Sequence, residues 1–109
     1  MAFPETVSIE TDKTIPLEEV EHALRLVNDP ELMLDIVTLE LIKRIIIKDH
    51  TLHVWMTLTT PFCPYGPSLV EQAKIALESI PSVSEATVEL DLSEPWEPSD
   101  NVKSLLGLP

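Results

Sequence analysis

Polar and apolar positions change rhythm repeatedly along the chain. Leu17, Val20, Leu24 and Val27 recur at helical spacing after the cap-type Thr14, with Pro16 suited to a first turn and Glu18, Glu19 and Glu21 toward the positive helix end. This predicts a one-sided helix ending near Asn28. Pro30 disfavours helical geometry at Asp29, so Asp29-Pro30-Glu31-Leu32 reads as a turn. Leu39 to Lys48 is rich in isoleucine. From Thr51 to Thr60, Leu52, Val54, Met56 and Leu58 alternate with His53, Trp55, Thr57 and Thr59, so the two runs predict a hairpin turning at Asp49-His50. Ser68 and Glu71 suit a capping box ahead of the stripe Leu69, Ala73, Ala76 and Ile80, and Pro81 ends that helix. Ala86, Val88, Leu90 and Leu92 then alternate with Glu85, Thr87, Glu89 and Asp91 in a further strand with one wet face.

The order α-β-β-α-β predicts an α+β two-layer sandwich: helices on one face of a small three-stranded sheet, mixed or antiparallel, with a short C-terminal helix toward Leu108. Residues 14–109 read as a single domain. Residues 1–13 read as a flexible N-terminal arm or an added edge strand. Glu94-Pro95-Trp96-Glu97-Pro98 is too proline-rich for regular structure, and Trp96 is expected to fold back as an apolar plug.

Composition narrows the classes of function. The chain has 109 residues, 44% of them apolar, and a formal charge of −12. Residues 1–21 hold six acids against Lys13, and residues 84–100 hold six acids and no base. Such a surface repels phosphate backbones and anionic headgroups, which excludes nucleic acid and membrane surfaces as expected partners. The longest apolar run is far short of the roughly 20 residues that span a bilayer, and the first residues lack a basic then apolar leader, so a soluble cytoplasmic protein is expected. Arg25, Lys43, Arg44 and Lys48 read as a solvated face.

Cys63 is the single cysteine and lies in Thr59-Thr60-Pro61-Phe62-Cys63-Pro64-Tyr65-Gly66-Pro67, between a strand and a helix. A thiol near a helix N-terminus feels the positive end of the dipole, so its pKa is expected below the usual thiol value. That suits metal binding or sulfur chemistry. A Cys-His enzyme is disfavoured, because His53 precedes Thr60 by about 23 Å of extended strand, and His22 and His50 read as surface residues. No Cys-x-x-Cys or His-x-x-x-His pair supports a zinc cage, and two glycines leave no phosphate cradle. Asp29 and Glu31, with Thr59, Thr60 and Cys63, remain as oxygen, hydroxyl and sulfur groups that would share a shallow pocket if the turn reaches the strand end. The plainer reading keeps Asp29 and Glu31 as turn residues and Cys63 as a small buried apolar group.

Four separated blocks resemble the SufT/PaaD-like family of iron–sulfur cluster assembly factors. They are Asp29-Pro30-Glu31-Leu32, Leu34 to Leu39, Met56 to Pro64, and Glu94 to Pro98. The resemblance implies a small cytoplasmic α+β domain that matures iron–sulfur proteins as an assembly factor, carrier or adaptor and is not an enzyme. It carries over Asp29, Glu31, Leu32, Thr59 and Thr60 as binding residues and Cys63 as the metal or sulfur ligand, with a transient iron–sulfur cluster. The assembly machinery and client apo-proteins are the implied partners. Met33 stands where a glycine or another small or turn-forming residue is common, Glu40 where Leu-Gly-Leu is usual, and Lys43 where a tyrosine or similar residue is frequent. One thiol per chain cannot enclose a cluster that takes four protein ligands, so a homodimer, transit contact or simple docking of clients are the options. The alternative is an acidic protein–protein adaptor in which Cys63 is structural.

Overall fold

The computed structural model describes residues 3, 7–30, 32–59 and 64–107. Strands β1 (Ser8–Thr11), β2 (Ile42–Lys48), β3 (Thr51–Met56) and β4 (Glu85–Leu90) form one sheet in that order. Helices are α1 (Leu17–Leu24), α2 (Gly66–Glu78) and α3 (Asp100–Leu106). β1 runs parallel to β2, β2 antiparallel to β3, and β3 parallel to β4, so the sheet is mixed.

The α+β class holds, but the sheet has four strands rather than three. The addition is β1, whose four residues are exposed or half-exposed. Backbone bonding to β2 rather than burial defines this strand, so it leaves no alternation in the sequence. Helices α1 and α2 cover one face of the sheet. Ile45, Ile47, Leu52, Val54, Met56 and Ala86 are buried with Val20 and Leu24 of α1 and Leu69, Ala73 and Leu77 of α2.

The opposite face carries a polar and aromatic ladder across all four strands. Glu10 Oε1 lies 3.5 Å from Arg44 Nη2, and the Arg44 guanidinium stands 5.2 Å from the Trp55 ring centroid. Trp55 stacks on His53 at 3.7 Å, and His53 Nε2 meets Glu89 Oε2 at 2.6 Å. The three cross-strand contacts, joined by the His53–Trp55 stack along β3, stabilise a solvated sheet face.

Element ends depart from the sequence reading for local reasons. α1 stops at Leu24, about a turn before Asn28, because Leu26 N bonds to Ala23 O and Val27 N to Leu24 O in tightened i to i−3 geometry. Asn28 then bridges to Asp35. Thr14 does not cap α1; its hydroxyl donates to Asp12 Oδ1 and accepts from His50 N. α2 begins at Gly66, which places Ser68 inside the first turn, where it accepts from Gln72 Nε2 instead of forming a capping box. β2 starts at Ile42 rather than Leu39, because residues 36–40 are a turn. β3 ends at Met56, not Thr60, because its partner begins at Ile42. The hairpin turns at Asp49-His50 as expected, with φ of 49° and 61°. Two such residues match the right-handed strand twist, and Asp49 N is accepted by Asp12 Oδ2.

Candidate functional site

The first block is a tightly bonded turn. Asp29 is buried, with 1% of its surface exposed. Its Oδ1 accepts from Leu32 N at 3.0 Å, its N–H donates to Leu34 O, and its carbonyl accepts from Met33 N at 2.8 Å. Asp29 and Leu32 are therefore brought together in one turn. Met33 leaves it with φ of 62°. Glu31 lies outside the described residues.

The second block is pinned by groups that sequence reasoning overlooked. Asp35 Oδ2 accepts from Val37 N and Thr38 N, and Oδ1 accepts from the Thr38 hydroxyl. Arg25, expected on a solvated face, instead donates to Glu21 at 2.8 Å and to Thr38 Oγ1 at 3.0 Å, and lies 3.4 Å from Asp35. The Asp35-x-x-Thr38 spacing is the local signal for such a cap. The turn closes where Leu41 N bonds to Ile36 O and Glu40 N to Val37 O, with φ of 60° at Glu40. This is the Schellman pattern, whose left-handed residue is usually glycine. The departures at Met33 and Glu40 thus fall on two backbone positions that favour glycine.

The last block folds back onto this corner. Trp96 Nε1 donates to Leu39 O at 2.9 Å, and its ring packs on the core. Ser99 Oγ caps α3 by accepting from Val102 N and donates to Glu40 Oε2 at 2.9 Å. Lys43, in the bulge between Ile42 and Arg44, stands 4.0 Å from Glu94. A cavity of about 310 Å³ opens there, lined by Glu40, Lys43, Thr57, Glu94, Trp96 and Glu97 among others.

The same pole of the sheet receives the flanks of the thiol block. Thr57 N donates to Leu41 O, Leu58 is buried, and Thr59 follows, half-buried. A methyl group added at Gly66 would lie 2.9 Å from Leu58 Cδ1, so the start of α2 abuts the end of this strand run. The first turn of α2 has no acidic residue and no side-chain cap. Thr60 and Cys63 lie outside the described residues. Among the described residues no three His, Cys, Asp or Glu side chains form a metal-holding group. No helix among them is long and apolar enough to cross a membrane.

Fold and site define a small α+β domain whose four sequence blocks, as far as they are described, gather at the pole opposite the hairpin. Over residues 17–90 the chain matches the family described as iron–sulfur cluster assembly protein, and it belongs to that family. The SufT-like resemblance therefore holds, and the chain has a role in iron–sulfur cluster assembly or maturation. The Fe-S protein maturation auxiliary factor SufT of Staphylococcus aureus is 40% identical over 72 residues, 65% of this chain and 82% of that one. The Fe-S protein maturation auxiliary factor YitW of Bacillus subtilis is 39% identical over 80 residues, 72% of this chain and 78% of that one. A conserved hypothetical protein of Thermotoga maritima has a similar structure, with a TM-score of 0.75 and 37% identity, covering 89% of this chain and 99% of that one.

Proposed function

We propose that this chain is a non-enzymatic maturation factor that holds an iron–sulfur cluster in transit on the Cys63 thiolate, with Glu31, Leu32, Thr59 and Thr60 forming the surrounding surface. Asp29 acts by shaping the turn that carries Glu31, since its Oδ1 already accepts from Leu32 N. The observation that carries this reading is the family match across residues 17–90, which includes Cys63, the only thiol of the chain. The acid-free first turn of α2 supports it, because an uncompensated helix N-terminus favours a nearby thiolate.

The cluster is cargo, so its remaining ligands come from outside one chain. A second copy contributing its own Cys63, small thiols and the cysteines of a client apo-protein supply them in turn. Transfer is then ligand exchange, with no net redox change required of this protein. The partners are the assembly machinery and client apo-proteins, and the compartment is the cytoplasm. Anaerobic reconstitution with iron and sulfide tests the proposal: wild type develops cluster absorbance and activates a client apo-protein, and Cys63→Ser does neither. Equal behaviour of the two removes the thiol from the function. Alkylation rate against pH should give a Cys63 midpoint below the unperturbed value of about 8.5.

A further inference from the structure

Away from the thiol block, α1 and the end of α2 enclose a groove of about 370 Å³ lined by Glu18, Glu19, His22, Ala23, Leu26, Ser79, Ile80 and Pro81. Its floor is apolar. Ala23 and Ile80 are buried beneath it, whereas Leu26 leaves 66% of its surface in water. Ile75, one turn before Ser79 on α2, is likewise 59% exposed. Glu18 and Glu19 form the rim on α1, and Glu78 adjoins Ser79 at the end of α2. Among the described residues, no lysine or arginine lines the groove. Arg25, next to Leu26 in sequence, directs its guanidinium to Glu21, Thr38 and Asp35 and so does not neutralise this rim.

An apolar floor beside an acidic rim is complementary to a helix with one aliphatic and one basic face. We propose that this groove docks a cationic amphipathic helix of a partner protein, whose aliphatic side chains cover Leu26 and Ile80 while its lysines or arginines face Glu18 and Glu19. The groove's lining includes none of the residues assigned to the cluster, and the proposal does not depend on the thiol's role.

Fluorescence anisotropy of a labelled Leu/Lys amphipathic helical peptide, titrated with the full chain, tests this. Leu26→Asp should weaken binding about tenfold although it adds a negative charge, because contact with the apolar floor is lost. The pair Glu18→Lys/Glu19→Lys should weaken it similarly. The charge-matched pair Glu85→Lys/Glu89→Lys, on the open sheet face, and Cys63→Ser should change it less than about twofold. Circular dichroism confirms that each variant is folded. The proposal is overturned if the two double variants weaken binding equally, if a Lys-only peptide of equal charge binds as tightly, or if Leu26→Asp is harmless. It is also overturned if sedimentation shows a wild-type dimer that Leu26→Asp dissociates, since a second copy would then cover the groove.

Discussion

Met33 and Glu40 adopt almost the same left-handed backbone, with φ of 62° and 60°, yet the two corners are held by different means. Met33 is 78% exposed. Its corner rests on Asp29 just upstream, whose carbonyl takes the Met33 N–H and whose carboxyl takes the Leu32 N–H. At Glu40 the side chain itself is used, accepting from Ser99 at a separation of 59 residues, and Trp96 bonds to the carbonyl immediately before it. A conformation costing roughly 1 kcal/mol persists without glycine where neighbours over-determine it. Both corners have bonds within their own turn, but only the Glu40 corner adds support from the far end of the chain.

Removing either support should separate the corners, and the largest effect is expected at the distal one. Trp96→Ala should lower stability in urea unfolding by about 3 kcal/mol through lost packing and an orphaned Leu39 carbonyl; a loss below about 1 kcal/mol would mean that the C-terminal segment does not hold the Glu40 corner. Asp29→Ala, which removes the carboxyl acceptor of the Leu32 N–H but keeps the carbonyl that takes the Met33 N–H, should cost about 2 kcal/mol by the same measurement.

Glycine substitution sharpens the contrast. Met33→Gly should stabilise by about 0.5–1 kcal/mol, as backbone relief exceeds the added freedom of the unfolded chain. Glu40→Gly should change little, because the relief is offset by losing a hydrogen bond worth about 1 kcal/mol. In a Ser99→Ala background that offset disappears, and Glu40→Gly should become stabilising like Met33→Gly. Equal effects of the two glycines in the wild-type background would erase the distinction.

The smallest effect concerns the hairpin corner at Asp49-His50. Asp12 is held down to about 2 from 3.8, chiefly by the Asp49 N–H and then by the Thr14 hydroxyl and N–H. The folded value is the lower one, so this contribution is fully present above about pH 4 and is lost as pH falls through about 2. Between those values the urea midpoint of wild type should fall more steeply than that of Asp12→Asn. Parallel slopes would show that the carboxylate does not hold the turn.

Much of the layer architecture was legible because burial writes its period into the residues. Leu17, Val20, Leu24 and Val27, and then Leu52, Val54 and Met56, announced a helix face and a strand face, and Asp49-His50 announced the hairpin. For residues 1–13 the sequence left a flexible arm and an added edge strand both open, since pairing through backbone alone imposes no side-chain pattern, and β1 realises the second. Leu39 to Leu41 read as strand because apolar content cannot distinguish a buried turn from a buried strand. At the site, the Asp29 turn was foreseeable from Pro30. The Arg25, Asp35 and Thr38 network was not, because it joins residues up to 13 apart through geometry set by the end of α1.

Local chemistry in the chain therefore determined the order and type of the main helices and strands, though not their ends, together with the strongly acidic surface and the solitary thiol in a proline-rich block before α2. Tertiary structure alone decided that the returning Trp96 meets the Leu39 carbonyl and Ser99 the Glu40 carboxylate, that residues 8–11 pair as an edge strand rather than trail as an arm, and that a groove with an acidic rim lies between α1 and α2. The physical reason is range: propensity and periodicity act over a turn or two, whereas these contacts depend on which surfaces remain to be covered once the sheet and helices have packed.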